Sequence, residues 1–196
     1  MKLDHVLIAV DDLAAAAAEL RASDGLASVE GGRHPGWGTA NRIVPLGDAY
    51  LELVAVVDEA EAAGNPFGRW VARSRGAFAW AVRTDDLDAV AHRLGVEVLA
   101  GSRSRPDGSM LSWRSAGVER AAVEPLLPFL LQWDPGTELP GWTPVEHPRG
   151  PVRLEQLRLR GDASRLDAWL GPHDLPVTVT PGEAGVETYA VSDARP

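Results

Sequence analysis

The sequence predicts an α+β fold: paired β-α-β-β-β modules followed by a partial third module. Three observations carry this prediction. An apolar phrase at residues 3–13 restarts at residues 77–87. Each copy runs from a strand through an Asp-Asp pair into an Ala-rich amphipathic stretch, and a unit this small must pair with its copy to close a core. Third, 45% of the 196 residues are hydrophobic, enough for a core without covalent staples.

Residues 3–10 read as the first strand, with His5 on the face of Leu3, Leu7 and Ala9 by alternation. Asp11 or Asp12 caps the helix that follows, through about residue 22. Gly31-Gly32-Arg33-His34-Pro35-Gly36-Trp37-Gly38 reads as a glycine-rich loop. Strands follow at about 39–46 and at Tyr50–Val57, joined by the hairpin signal Gly47-Asp48. These elements make a first module of residues 1–57. Residues 58–76 connect the modules, with helices expected near Glu59–Ala63 and Pro66–Ser74.

The second module spans residues 77–134. Its helix runs from Asp86 to Leu94 and stops at Gly95. Gly108–Gly117 aligns with Gly38–Gly47, and Pro128–Asp134 with the Tyr50–Val57 strand. Residues 1–134 thus form the paired modules. Asp134–Gly150 reads as an ordered linker. Residues 151–196 read as a partial third β-α-β module: a strand at Val152–Arg160, a helix at Ser164–Leu170, and strands at Val177–Thr180 and Val186–Val191. That module lacks a strand, so it must either dock on the barrel or pair with another subunit, and a homodimer is compatible with it.

Composition narrows the functional classes. There is no cysteine, which excludes disulfides and thiolate ligands. A metal site must draw on His, carboxylate, amide or water. The formal charge of −9 argues against a general nucleic-acid binder. No apolar run nears the roughly 18 residues of a membrane span, and a start with one Lys followed by Asp4 is not expected to act as a signal peptide. The expected location is cytoplasmic, and the expected partner is a small-molecule ligand. Richness in Ala, Arg, Gly and Pro beside a single Lys suggests a high-GC bacterial gene. No phosphate loop, dinucleotide fingerprint or Ser-His-Asp spacing is present.

Leu3-Asp4-His5, Gly31–Asn41, Tyr50-Leu51-Glu52-Leu53 and Pro128–Asp134 together resemble the vicinal oxygen chelate superfamily, which includes glyoxalase I, bleomycin-resistance proteins and extradiol dioxygenases. Within it the chain looks most like the bacterial glyoxalase-like domain proteins. The resemblance covers about 130 residues. It implies that the two modules curve into a half-open barrel and supply up to four metal ligands from the first and last strands of each. Carried over, those places are His5, Glu52, Ala79 and Gln132, and Ala79 cannot bind a metal. His5, Glu52 and Gln132 are therefore the candidate ligands of a divalent ion such as Zn, Mn, Fe, Ni or Mg.

Three functional readings follow. The first is a metal-dependent lyase, isomerase or dioxygenase, with Gln132, Asn41 and His34 orienting substrate. The second is a metal-free binding or sequestering protein of the bleomycin-resistance kind, with Trp113 and Trp133 as walls for a small apolar or aromatic ligand. The third is catalysis without metal, with Glu52 as a general base beside a carbonyl. The Asp11-Asp12 and Asp85-Asp86 pairs are read as helix caps.

Overall fold

The computed structural model describes residues 1–105 and 107–194. The first module comprises β1 (Lys2–Ala9), α1 (Leu13–Ser23), β2 (Val29–His34), β3 (Thr39–Leu46) and β4 (Ala49–Val56). Helices α2 (Glu59–Gly64) and α3 (Pro66–Arg73) lead to the second module. That module comprises β5 (Gly76–Arg83), α4 (Leu87–Leu94), β6 (Val98–Ser104), β7 (Met110–Ala116), α5 (Val118–Val123) and β8 (Phe129–Trp133). The third group is β9 (Val152–Arg160), α6 (Ala163–Leu170), β10 (Val177–Thr180) and β11 (Gly185–Asp193).

The Asp-Asp pairs do cap helices. The Asp12 carboxylate accepts from the backbone N–H groups of Ala14 and Ala15, and Asp86 accepts from Ala89. Each satisfies donors that the first helical turn leaves without partners. Gly95 closes α4 in the left-handed conformation, at φ 65°.

The eight strands of the two modules form one ring, in the order β1-β4-β3-β2-β6-β7-β8-β5. The half-open barrel is thus closed, but its two joints differ. Between β1 and β5 seven register pairs run from Lys2/Arg83 to Ala9/Gly76. Between β2 and β6 there is one, Arg33/Ser104. Gly32 allows that approach: a Cβ there would lie 1.7 Å from the Ser104 carbonyl oxygen. The first half of the supposed glycine-rich loop, residues 31–34, is therefore strand β2, and the turn proper is confined to residues 35–38.

Alternation sorts the side chains into two cores. Leu7, Ala9, Val54, Ala79, Ala81, Phe129 and Leu131 belong to an inner cluster. Val6, Trp80, Val82 and Leu130 point outward and share a second cluster with Leu157, Leu159, Leu166, Trp169 and Leu170. The third group, a three-stranded sheet ordered β10-β9-β11 with α6, therefore docks on the barrel's outer face. Its Trp169 indole donates to the Pro128 carbonyl, and Arg93 of α4 donates to the carbonyls of Trp169 and Leu170. No helix among the described residues is long and apolar enough to cross a membrane.

Candidate functional site

A chain of buried polar groups crosses the inside of the first module. It begins with an irregularity in β1, where the register against β5 shifts between Leu3 and His5. Strict alternation would put Asp4 and His5 on opposite faces. The shift instead buries both, at 1% and 3% exposure, and sends Leu3 to the outer cluster rather than to the face of His5. The Asp4 carboxylate meets His5 Nδ1 at 2.7 Å, the Trp133 indole N–H at 3.0 Å and Arg83 at 3.4 Å. His5 Nε2 faces Glu52 Oε2 at 3.3 Å. The other Glu52 oxygen accepts from the Asn41 amide at 2.6 Å and lies 3.8 Å from His34 Nε2.

Each imidazole is held by its neighbours. The His5 ring stacks on Tyr50, with centroids 4.5 Å apart, and meets Phe129 edge-on. His34 Nδ1 pairs with the Thr39 hydroxyl at 2.9 Å, and its ring stacks on Trp37. The second module supplies the opposite wall with Trp113, Trp133, Phe129 and Leu131, and Phe67 of α3 completes it. Gly101 gives Trp113 its seat, since a Cβ there would lie 2.4 Å from the indole nitrogen. The cavity left among these side chains is about 50 Å³, well below the roughly 300–1,000 Å³ of sites for drug-sized ligands.

Burial shapes the titrating groups. Desolvation lowers the His34 pKa; the nearby Glu52 carboxylate opposes this, and Arg103 and His5 add to it. Desolvation also pushes the Tyr50 phenol well up, and the Asp4 and Glu52 charges reinforce it. Because folded His34 binds a proton less readily than unfolded His34, the unfolded chain holds more protons below its ordinary value of 6.5. The stability this residue contributes is full above that pH and is lost as pH falls through the folded value. The melting temperature should therefore decline below pH 6.5 in the native protein and decline less in His34→Gln. Parallel pH profiles for the two would rule His34 out as the cause.

His5, Glu52, His34, Asn41, Trp113 and Trp133 all line this cup. Gln132 does not. Its side-chain oxygen accepts from Arg114 and its nitrogen donates to the Asp85 carbonyl, on the outer side of β8. Register explains the departure from the sequence alignment. Leu7 sits opposite Glu52 between β1 and β4, and Ala81, its counterpart in the repeat, sits opposite Phe129. Phe129 therefore holds the place that corresponds to Glu52. The first module joins its last two strands by the tight Gly47-Asp48 turn, whereas the second inserts α5 there, which breaks the sequence offset.

The divalent ion implied by the family resemblance meets a poor donor set. Of the four places, His5 and Glu52 offer ligand atoms, and Ala79 and Phe129 offer none. His34 approaches only the far oxygen of Glu52. Among the described residues no three His, Cys, Asp or Glu side chains are placed to hold a metal ion. The residues present do not fit the four-ligand pattern.

Sequence reasoning passed over Asp4, Tyr50, Phe129 and Arg103 as site residues. Arg103 is 6% exposed, and its guanidinium donates to the Gly31 carbonyl across the β2–β6 joint. Burial holds it below the usual arginine range, an effect opposed by Tyr50 and Glu52. Alternation along β6 was the available signal, because Gly101 and Arg103 share the inward face.

A crystal structure of a hypothetical protein from Staphylococcus aureus superposes with a TM-score of 0.74 at 16% identity, covering 100% of this chain and 92% of that one. Methylmalonyl-CoA epimerase from Mycobacterium tuberculosis gives 0.49 at 24% identity, covering 69% and 88%. A hypothetical protein from Bacillus halodurans gives 0.50 at 16%, covering 69% and 95%. No curated protein matches the sequence. Residues 3–173 match the glyoxalase-like domain family. With the paired modules and the ring they form, that match settles the kinship: the chain belongs to the glyoxalase-like domain family of the vicinal oxygen chelate superfamily.

Proposed function

We propose that the protein takes a small molecule into the cup between its two modules and moves a proton on it, with Glu52 as the base. The observation that supports this reading is the buried line Asp4–His5–Glu52–Asn41. Asp4 holds His5 through Nδ1, which turns Nε2 toward Glu52 Oε2 and fixes the carboxylate's position. Asn41 orients the carboxylate through its other oxygen. A carbon acid beside a carbonyl loses its C–H proton to Glu52, and its electron pair moves onto the carbonyl oxygen. Return of the proton to the same carbon gives exchange or epimerisation; return to a neighbouring atom gives isomerisation. No metal is assigned a part. The paired modules of residues 1–134 are the functional unit in this reading, and residues 151–196 buttress it.

The test is deuterium exchange into the methyl group of pyruvate, followed by NMR, with binding read in parallel by tryptophan fluorescence. Native protein should accelerate exchange over buffer, and Glu52→Gln should lose about 100- to 10,000-fold of that rate. Retained binding in the variant would separate lost chemistry from a lost cup. Exchange at the buffer rate with native protein rejects the proton-transfer role.

A second reading has its own support. Among the described residues the second module contributes aromatic and apolar walls with Ser115 and Arg103, and no carboxylate or imidazole, to the cup. That asymmetry suits a protein that holds a ligand without turning it over. A saturable fluorescence change with no exchange is the result that would favour it.

A further inference from the structure

Two polar groups in the cup have no adequate partner within the protein. The first is Arg103. Arg83 and Arg114 each have a carboxylate within ion-pair distance, Asp4 and Asp88 respectively. Among the described residues Arg103 has none, and its one hydrogen bond goes to the neutral Gly31 carbonyl. Glu52 is near enough to oppose the cost of that burial but does not pair with the guanidinium, and a buried cation without a bonded counter-charge is costly. The second is Asn41. Its nitrogen must face Glu52, because a flipped amide would set its oxygen against the carboxylate. Its Oδ1 is then left buried with no donor, although the residue is only 3% exposed.

These two groups adjoin one another. Gly31 supplies the carbonyl that Arg103 holds, and a Cβ at Gly31 would lie 2.0 Å from Asn41 Oδ1. Both residues line the same cavity as Glu52 and His5. The cup thus presents, side by side, a cation that needs an anion and an acceptor that needs a donor.

We infer that the cup's ligand is a small carboxylate with a hydroxyl or amine next to the acid group. Arg103 takes the carboxylate as a charge-assisted pair, and Asn41 Oδ1 accepts from the hydroxyl or amine. Glu52 then faces the carbon that carries both. The small cavity limits the ligand to a few heavy atoms unless the aromatic walls move. This inference rests on the cup being the binding site but not on turnover there.

The experiment titrates native protein with lactate, methyl lactate and propionate, reading tryptophan fluorescence and ligand-observed NMR. The ester removes the charge and propionate removes the hydroxyl. Lactate should bind at least about tenfold more tightly than methyl lactate, and about threefold to tenfold more tightly than propionate. Arg103→Met should erase the preference over the ester, and Arg103→Lys should retain part of it. Asn41→Leu should erase the preference over propionate. Should the variants fail to fold, the native affinity ratios decide alone. Equal affinity for lactate and its ester overturns the carboxylate assignment and leaves the cup as a site. Equal affinity for lactate and propionate overturns the role of Asn41. Failure of all three to bind overturns the inference and the cup reading together.

Discussion

Trp80→Ala should cost about 3–5 kcal/mol of folding stability, the usual range for emptying a buried aromatic site. The side chain is fully buried in β5. It sits in the outer cluster, where the barrel meets the third group of strands. Its indole N–H donates to the Leu126 carbonyl at 3.1 Å, so truncation also strands an acceptor. For a chain of this size each kcal/mol moves the melting temperature by about 2–4 °C. Calorimetry of native protein and variant gives the answer. A loss below about 1 kcal/mol would mean that the third group does not share a core with the barrel.

Asp4→Ala should be comparably damaging, again about 3–5 kcal/mol, because it removes one member of a buried ionic cluster and leaves the others exposed to the cost of burial. Three donors depend on that carboxylate: His5, Trp133 and Arg83. They come from three different strands, so the loss loosens the ring as well as the cup. Asp4→Asn keeps an acceptor of the same shape and should fall between native protein and Asp4→Ala. Thermal melts of the three proteins test the order. Asp4→Asn behaving like Asp4→Ala would show that charge alone matters, and a neutral Asp4→Ala would remove the cluster from the account of stability.

The pattern of what was legible in the sequence follows from how each signal is encoded. The repeat at residues 3–13 and 77–87 is local and apolar, and with it came the modules, the capped helices and the meeting of His5 with Glu52. Long-range register is not encoded that way. Gln132 was aligned with Glu52 by counting along the chain, but the insertion of α5 shifted the count, and alternation turned Gln132 outward. Asp4 was invisible for a related reason. Simple alternation sets it opposite His5, and only the shift in β1 turns both into the interior. Arg103 lies in the small and polar part of strand Val98–Ser104, residues 100–104, whose inward face is defined by the glycine under Trp113 rather than by hydrophobicity.

The unequal joints of the ring make it a hinged shell. The long β1–β5 ladder is the hinge and the single Arg33/Ser104 bridge is the clasp. The hairpins β2–β3, β3–β4, β6–β7 and β7–β8 each lie within one half, so none of their pairing depends on that joint. One of the clasp's fasteners is the Arg103–Gly31 contact. The side chain that lines the interior as its buried cation is therefore also a tie between the two halves at the weaker joint, so Arg103 belongs to the cup and to the ring at once.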